Sequence, residues 1–569
     1  MTTNGLSTLE ATGLSWERED THWPDRLSRW AAELYMTRQS RGIAEVCDDA
    51  GLLFEGVRTA EVDGWAYMAV VPLGGRPRKP PPNWLMPLLV RVVPDLRKRI
   101  ATMRRLDRAD YWRSVVDDWL AEDEAALLAE GHRFLDTDLS ELDDEALADL
   151  TDRAWEFAER AVKKHFHLHG AGISEIMRLS MELNRNHGFT TAELSGLLTG
   201  LSDTTTGPAE AQAEIIQLIR DAGGEDTLLA AATVDDLRPI SEDVDAALTR
   251  YLGSWGRRAL RYEVAYPTIA ETPGQLVELL RAQFRRPSPS ARAADHAELR
   301  TDVERRVLAA LGDTAATRDR IERARQAFPI REGNETATVA LPAAALRSLG
   351  LEAGRRLTST GHLKEPAHVF DALPSEVDAV LRSRPVADLA ATAAARHAAR
   401  TAPVDERPPM RIGPEPVLPD VSAFPDDIRE SVEAVLWFSS KAATVKTGIP
   451  DADDQPTTDA AVTSAVSGLG VAPGTYEGVA RVVLDESGFD RIEPGDVLVC
   501  PITSPIWSMV FPLVGALVCD SGGPLSHPAI IAREFGIPAV VGTEDATTRL
   551  EDGARIRVDG SSGAVELVG

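Results

Sequence analysis

A single histidine near the end of the chain lies between a glycine pair and a short apolar segment. In the stretch SGGPLSHPAIIAREFG (521–536), Gly522 and Gly523 precede His527, and an apolar run then ends at a glycine. Proline is tolerated at a first helical position and glycine marks helix ends, so this pattern predicts a helix beginning near Pro528. Glycines let backbone approach a ligand, and a helix entrance carries partial positive charge. These residues predict an anion site with His527 at its edge.

An imidazole at such a site is suited to phosphoryl transfer. It can attack a phosphoryl group while nearby amides and hydroxyls hold the phosphoryl oxygens. The predicted phosphoryl-binding loop comprises Ser521, Gly522, Gly523 and Ser526, and Arg533 could add a fixed charge from the helix. Two plainer interpretations stay open, because an isolated histidine can cap a helix in a structural turn and Arg533 can pair with a carboxylate.

The segments around this histidine predict a small α/β domain. From residue 470 onward, short β-branched runs such as VARVVL, DVLVCP and GALVCD are separated by Gly, Pro and Asp, a pattern typical of five or six strands. From about residue 27 to residue 398, apolar residues instead recur three and four apart, which favours helices. A strand-like piece at 64–73 interrupts that helical pattern.

Proline-rich and polar stretches separate the two regions. Residues 401–420 are dense in proline and residues 449–468 are polar, which indicates linkers on either side of a short helical stretch. The expected fold is therefore multidomain, with a mostly α-helical acceptor domain before a small α/β domain. The expected boundaries are 1–400 for the helical domain, 401–469 for the linkers with their connecting helix, and 470–569 for the α/β domain.

The string GGPLSHPAIIAREFGIPAVVG (522–542) closely resembles the phosphohistidine signature of phosphoenolpyruvate (PEP)-utilising enzymes. The resemblance continues in GVAPGTYEGVARVV (470–483), GDVLVCPITSPIW (495–507) and GALVCDSGG (515–523), so it covers the whole C-terminal domain. It implies a swivelling phosphohistidine domain that carries its phosphoryl group on His527.

The helical region is similar to the acceptor region of rifampicin phosphotransferase at residues 251–273 and 351–373, and more weakly at 16–24. We find no Gly-rich nucleotide loop ending in Lys and Ser or Thr, and nothing that resembles the ATP-grasp domain of those enzymes. In this arrangement one chain has the carrier and acceptor domains, and a partner has the ATP-binding domain. It resembles the carrier subunit of phenylphosphate synthase and of the 4-cresol-phosphorylating synthase. That resemblance implies a partner subunit of ATP-grasp (PEP/pyruvate-binding) type, which would bind ATP and Mg²⁺ and phosphorylate His527.

By the same resemblance, the expected activity is transfer of the phosphoryl group from His527 to the hydroxyl of a small phenolic compound, as in aromatic compound degradation. A phenol has a pKa near 10, and phosphoryl transfer depends more on alignment and charge than on a strong base. Two alternatives stay open. One is an antibiotic phosphotransferase of rifampicin type with its ATP module in trans, and the other is a non-catalytic phosphocarrier or regulator.

Candidate acceptor-site histidines lie on a helical stripe between residues 147 and 169. His165 falls on the apolar, core-facing side of this stripe, His169 follows one turn later, and His167 is expected to be exposed. Two imidazoles at i and i+4 could bind zinc, but no third ligand is evident, so no metal is predicted. If functional, His165 or His169 would accept or orient the proton of the acceptor hydroxyl. A buried histidine bonded to a backbone carbonyl is an equally weighted alternative.

Three charged residues complete the predicted acceptor site. Arg257 and Glu263 fall where related enzymes have a Gly-x-Arg and an acidic residue, and Arg331 precedes another family-like stretch. The arginines would receive phosphate charge. The alternative for each is an ion pair on a helix surface.

The composition limits the classes of partner. The formal net charge is -28 and the pI is about 4.9, which argues against nucleic-acid or anionic-membrane partners because both need a basic face. Cys47, Cys500 and Cys519 are too few and too far apart for a disulfide framework, which suits a reducing compartment. The N-terminal residues lack the pattern of a secretion signal. We therefore expect a cytoplasmic protein.

Overall fold

A computed structural model gives the fold of this chain. It describes residues 3–20, 22–76, 82–201, 203–257, 262–284, 292–404, 407–414, 422, 424–425, 428–433, 466–503, 505–523 and 526–568. Most of the predicted linker region lies outside the described residues, including residues 449–465 of its second polar stretch, and the end of that stretch forms a strand at Val466–Ser467.

By its internal contacts the chain forms two compact units. Unit 1 comprises Met1–Gly170, Arg258–Thr268 and Asn334–Arg429, and unit 2 comprises Ala171–Arg257, Ile269–Gly333 and Glu430–Gly569. The helical region is therefore divided between the two units. The boundaries expected from the sequence, at residues 400 and 470, stay a prediction.

The region before residue 402 is mostly helical, as the apolar periodicity predicts. Its α-helices are α1 (Thr3–Glu10), α2 (Arg29–Ala31), α3 (Ser40–Asp49), α4 (Met86–Val92), α5 (Pro94–Arg108), α6 (Tyr111–Asp118), α7 (Glu124–Asp136), α8 (Asp144–His187), α9 (Thr191–Ser195), α10 (Asp203–Asp221), α11 (Glu225–Ala230), α12 (Glu242–Ser254), α13 (Pro273–Phe284), α14 (Arg292–Leu311), α15 (Ala315–Gly333), α16 (Leu341–Ser359), α17 (Pro374–Leu381) and α18 (Leu389–Thr401). Among the described residues of this region, π-helical segments occur at Ala32–Gln39, Trp119–Asp123 and Thr336–Ala340. Short 3-10 helices occur in this region at Asn83–Leu85, Leu139–Glu141, Val234–Asp236, Arg238–Ile240, Ile269–Glu271 and Pro366–Asp371, and in the C-terminal region at Glu486–Arg491 and Pro505–Met509.

A small antiparallel sheet interrupts the helices of unit 1. Its strands are β1 (Trp16–Arg18), β2 (Phe54–Val62), β3 (Trp65–Pro72) and β4 (Arg411–Ile412), in the order β2-β3-β1-β4. Asp63 and Gly64 both have positive φ between β2 and β3, as a tight hairpin turn requires. The predicted strand-like piece at 64–73 is thus confirmed as β3.

The core of unit 1 forms around the first part of α8. The residues of the predicted stripe pack inward, because a 3.6-residue period places them on one helix face. Trp30 lies against Trp155 and Phe370 with ring centroids 5.5 and 5.7 Å away. The buried members of the stripe are Leu147, Leu150, Ala154, Phe157, Ala161 and Leu168.

The C-terminal part of unit 2, from residue 466 onward, forms the predicted α/β domain. Its strands are β5 (Val466–Ser467), β6 (Leu469–Ala472), β7 (Thr475–Val482), β8 (Val497–Cys500), β9 (Ala516–Cys519), β10 (Ala539–Val541), β11 (Arg555–Asp559) and β12 (Ala564–Leu567), and its helices are α19 (His527–Glu534) and α20 (Ala546–Arg549). The sheet order is β5-β12-β11-β7-β8-β9-β10-β6.

The centre of this sheet is parallel. Strands β7, β8, β9 and β10 run in the same direction, and β8 and β9 are buried along their whole length. Such strands are covered on both faces, which explains their unbroken apolar sequences VLVC and ALVC. A helical region followed by a small α/β domain is therefore confirmed, and the swivelling of that domain stays a prediction.

Helices of unit 2 pack against the α/β domain. Ile530 of α19 joins a buried apolar cluster with Ile176, Leu198 and Phe328. Two polar contacts support this packing: the Gly200 amide donates to Glu534 Oε2 at 2.8 Å, and Gln283 Nε2 donates to the Met509 carbonyl at 3.3 Å. Within the described ranges, none of the helices is both long and apolar enough to cross a membrane.

Candidate active site

His527 lies at the carboxyl edge of the parallel strands. β9 ends at Cys519, a glycine-containing loop follows, and α19 begins at His527 with Pro528 in its first turn. Ser526 is the N-cap residue in extended conformation, with φ −74° and ψ 159°. The predicted helix start is confirmed. Loops at the carboxyl ends of parallel strands are the usual ligand sites of α/β sheets, so this position is suited to chemistry.

The loop before His527 needs a glycine at one position. Gly522 has φ +118°, and a Cβ placed there would lie 2.7 Å from Ser526 Oγ. The Ser526 hydroxyl donates to the Gly523 carbonyl at 2.7 Å, and the Ser521 amide donates to the Pro501 carbonyl at 2.9 Å. The structure therefore uses these groups to shape the turn, while the Ser521 side chain is exposed. Their contact with a phosphoryl group stays a prediction.

Thr503 contacts the imidazole of His527. Its Oγ1 lies 3.0 Å from Nδ1 of His527. In the Nδ1–H tautomer the ring donates to this hydroxyl oxygen, and the Nε2 lone pair is left to attack an electrophile. Burial lowers the pKa of His527 to about 4, against an opposing effect of Thr503. The imidazole is therefore neutral, and nucleophilic, at neutral pH.

Thr503 is not among the site residues predicted from the sequence. It follows β8 by three residues, in the segment 495–507 that resembles PEP-utilising enzymes. A parallel arrangement of β8 and β9 could have pointed to Thr503, because the loops after two adjacent parallel strands meet at one edge of the sheet.

Arg533 lies two turns along α19 from His527. Its Nε donates to the Val471 carbonyl at 2.6 Å, which connects α19 to β6. Six helical residues correspond to about 600°, so Arg533 is rotated by about 120° from His527 around the helix axis. By the same count, Ile530 and Glu534 lie nearer the face of His527. A phosphoryl contact by Arg533 stays a prediction.

A cleft in unit 2 brings together two arginines that the sequence singled out separately. Arg331 of α15 and Arg533 of α19 both line it. The other lining residues are mostly apolar: Ile176, Ser195, Leu198, Thr199, Phe328, Ile530 and Glu534. The cleft thus combines two arginines, one glutamate and an apolar lining, and the helix that begins at His527 forms one of its walls.

The predicted acceptor-site residues are divided between the units. His165, His169 and Glu263 belong to unit 1, and Arg257 and Arg331 belong to unit 2. Arg257 follows the end of α12 and is half-buried.

His165 and His169 lie side by side on α8, with ring centroids 4.2 Å apart. His165 bonds to the Asn334 side chain, and His169 Nδ1 lies 3.1 Å from the His165 carbonyl. The exposure predicted for His167 is wrong. Its side chain is only 14% exposed, because this side of α8 faces α3, where Asp49 Oδ2 lies 3.9 Å from its Nε2.

Glu263 is buried and holds the start of α2. Its carboxylate accepts from the Ser28 amide at 2.9 Å, the Ser28 hydroxyl at 2.6 Å and the Ala265 amide at 3.0 Å. Burial raises the pKa of this carboxyl group, and the hydrogen bonds oppose that effect. These donors engage both carboxylate oxygens, so Glu263 stabilises the fold of unit 1. A role in acceptor binding stays a prediction.

Among the residues that the structure describes, no group of three or more His, Cys, Asp or Glu side chains could hold a metal ion.

Two segments match known protein families. Residues 492–563 match the family described as "PEP-utilising enzyme, mobile domain", and residues 164–332 match "Rifampicin phosphotransferase fourth domain". The first match contains Thr503 and His527, and the second runs from within α8 to the end of α15.

Curated relatives agree with these matches. A rifampicin phosphotransferase of Streptomyces sviceus is 32% identical over 348 residues, which are 59% of this chain and 36% of that protein. A rifampicin phosphotransferase of Bacillus subtilis is 47% identical over 103 residues, and a phosphoenolpyruvate synthase of Aeropyrum pernix is 48% identical over 101 residues. Each of these two alignments covers 18% of this chain and 12% of the relative.

The chain thus spans about a third of the Streptomyces relative's length. The resemblance to PEP-utilising enzymes and to rifampicin phosphotransferase is confirmed over the matched segments, and the resemblance to phenylphosphate synthase stays a prediction. Together, the matches place a segment similar to the PEP-utilising mobile domain after a segment similar to the fourth domain of rifampicin phosphotransferase, and His527 lies in the mobile-domain segment.

Proposed function

We propose that His527 accepts a phosphoryl group from an ATP-binding donor polypeptide and transfers it to the hydroxyl of a small compound. The observation that carries this proposal is the neutral imidazole of His527, held through Nδ1 by Thr503 at the carboxyl edge of the sheet. A neutral imidazole with its Nε2 lone pair available is the nucleophile that a phosphohistidine intermediate requires.

The proposed reaction has two displacements at phosphorus. In the first, Nε2 of His527 bonds to phosphorus while the bond from phosphorus to the donor's leaving oxygen breaks. The positive charge that develops on the ring is stabilised by the bond from Nδ1–H to Thr503. In the second, the acceptor oxygen bonds to phosphorus, the P–N bond breaks, and the hydroxyl proton passes to a base. Neutral Nδ1–H imidazole is regenerated.

We propose a phenolic compound as the acceptor. The support is the resemblance of this arrangement of carrier and acceptor segments to the phenol-phosphorylating synthases. A phenol can release its proton to a neutral imidazole as the P–O bond forms, because phosphoryl transfer has a loose transition state. We assign that proton-accepting role to His165, whose pKa burial lowers to about 4 so that the ring is neutral.

Rifampicin is the second candidate acceptor. The observation that favours it is the match of residues 164–332 to the fourth domain of rifampicin phosphotransferase, together with the Streptomyces relative of that name. A non-catalytic phosphocarrier is the third reading, and it differs from both because no small compound would receive the phosphoryl group.

We propose that ATP and Mg²⁺ bind to the donor polypeptide, of ATP-grasp type, and that this chain meets the donor only through His527. The purified chain should therefore acquire no phosphate from ATP and Mg²⁺ alone. Intact-protein mass spectrometry checks this expectation. Labelling by ATP without another polypeptide would contradict the assignment of the nucleotide site to a donor.

The carrier assignment can be tested without the donor. Phosphoramidate transfers phosphoryl groups to histidines. We expect His527 to be labelled faster than the exposed histidines, because Thr503 holds its imidazole through Nδ1 and leaves Nε2 to attack phosphorus. Peptide mass spectrometry at short reaction times locates this first label. His527→Ala should abolish this label. The matched control, His187→Ala, changes an exposed histidine at the end of α8 and should leave it unchanged. A label that persists in His527→Ala would overturn the carrier assignment.

The acceptor can be identified in a second step. The phosphorylated protein is freed of phosphoramidate and mixed with phenol, 4-cresol or rifampicin, and phosphorus NMR follows the loss of phosphohistidine. Formation of an aryl phosphate supports the phenolic proposal, and phosphorylated rifampicin supports the second candidate. Release of inorganic phosphate at the same rate with every compound would leave only the phosphocarrier reading.

A further inference from the structure

His165 of α8 is held by two residues from the chain segment after α15. Its Nδ1 lies 2.7 Å from Asn334 Oδ1 and 3.2 Å from Thr338 Oγ1. Asn334 is 1% exposed and Thr338 is fully buried, whereas His165 itself is partly exposed. All three residues belong to unit 1. The imidazole therefore has one nitrogen fixed against buried polar groups.

The hydrogen-bonding capacities of these groups determine the tautomer of His165. Asn334 Oδ1 can only accept, so Nδ1 of His165 must be the donor in the 2.7 Å contact. The Thr338 hydroxyl lies 2.8 Å from both the carbonyl and Oδ1 of Asn334, and it therefore directs its proton towards Asn334. Neither neighbour supplies a proton to Nδ1. The ring therefore carries its proton on Nδ1, and Nε2 has the lone pair.

We propose that Asn334 is a positioning residue that holds His165 in the Nδ1–H tautomer, so that Nε2 accepts a hydrogen bond from the hydroxyl of the phosphoryl acceptor. The inference rests on the proposed function for the identity of the ligand. It adds the residue that determines which nitrogen meets that ligand and the chemical class that fits, a compound with an acidic hydroxyl. In the opposite tautomer, Nε2 would carry a proton and could not accept the proton of the hydroxyl.

Nitrogen NMR of protein labelled with ¹⁵N-histidine tests the tautomer directly and needs no activity. His165 should show a protonated Nδ1 and an unprotonated Nε2 at pH 7, and His165→Gln assigns the signal. Protonated Nε2 in the wild-type protein would mean that the Asn334 amide nitrogen faces the ring, and it would overturn the proposal. Addition of 4-cresol, and separately of rifampicin, should shift the Nε2 signal. An unchanged signal with both compounds would contradict the ligand assignment.

Two substitutions of Asn334 separate the tautomer from packing. Asn334→Asp keeps an acceptor-only oxygen and should retain the Nδ1–H tautomer. Asn334→Leu removes the acceptor and should populate the other tautomer. Loss of one such hydrogen bond predicts a transfer rate from phosphorylated His527 that is about 2- to 10-fold lower in the Leu variant, with rescue in the Asp variant.

Phosphoramidate labelling of His527 should be the same in both variants, because it does not involve the acceptor. Equal transfer rates in the Leu and Asp variants would refute the positioning role. If the Leu variant does not fold, the wild-type spectrum and the Asp variant still decide the question. Failure of His527 to accept phosphate would refute the proposed function alone, since the tautomer is measured independently.

Discussion

Replacement of Thr503 by valine should slow the phosphorylation of His527. Valine has nearly the same shape as threonine but cannot accept the hydrogen bond that joins Oγ1 to Nδ1 of His527 over 3.0 Å. Without that bond, the imidazole can carry its proton on Nε2, the atom that must attack phosphorus. The ring can also rotate away from its present orientation.

The size of the effect follows from the strength of one hydrogen bond. A typical intramolecular bond contributes about 0.5–1.5 kcal/mol, and a difference of 1.36 kcal/mol changes a rate tenfold. Thr503→Val should therefore lower the rate of labelling by phosphoramidate by about 2- to 10-fold. Charge does not confound the comparison at pH 7. Burial lowers the pKa of His527 to about 4 and Thr503 opposes that shift, so the ring is neutral with or without the hydroxyl.

The assay is a time course of labelling by intact-protein mass spectrometry, with thermal unfolding measured for each variant. Thr503→Ser is the matched control, because it keeps the hydroxyl and should react at close to the wild-type rate. If Thr503→Val reacted as fast as the wild type while remaining folded, Thr503 would not set the tautomer of His527. The hydrogen bond to Thr503 would then not be what leaves Nε2 of His527 free to attack phosphorus.

Two other predictions concern the same loop. As the pH falls from 8 to 5, the labelling rate of His527 relative to that of N-acetylhistidine should rise by about 30-fold. An imidazole with the ordinary pKa of 6.5 becomes protonated over this range, whereas His527, with its pKa lowered to about 4, stays neutral. A constant ratio of the two rates would contradict the lowered pKa. Gly522→Ala should reduce the free energy of unfolding by about 1–3 kcal/mol and slow labelling, because φ is +118° and the new Cβ would lie 2.7 Å from Ser526 Oγ. Denaturant unfolding measures the loss of stability. Gly536→Ala is the control, because φ there is +60° and no atom lies within 4 Å of the new Cβ; it should destabilise the fold but leave the labelling of His527 unchanged.

Local features of the site were predictable from the sequence. The start of α19 and the position of His527 after a glycine-containing turn depend on backbone and side-chain groups a few residues apart. Residues that are close together in the sequence determine such interactions, as the proline of the first helical turn and the glycine at the turn show. The apolar stripe of α8 was predictable for the same reason, because helical neighbours are three and four residues apart.

The partners of the histidines were not predictable in this way. Thr503 is 24 residues from His527 and meets it because β8 and β9 are adjacent parallel strands whose carboxyl ends share one edge. Asn334 is 169 residues from His165 and reaches it through the packing of unit 1. The sequence alone determined which histidines could act and where their helices lie. Only the tertiary structure decided which groups meet Nδ1 of each ring, because folding brings these hydrogen-bond partners in from distant segments.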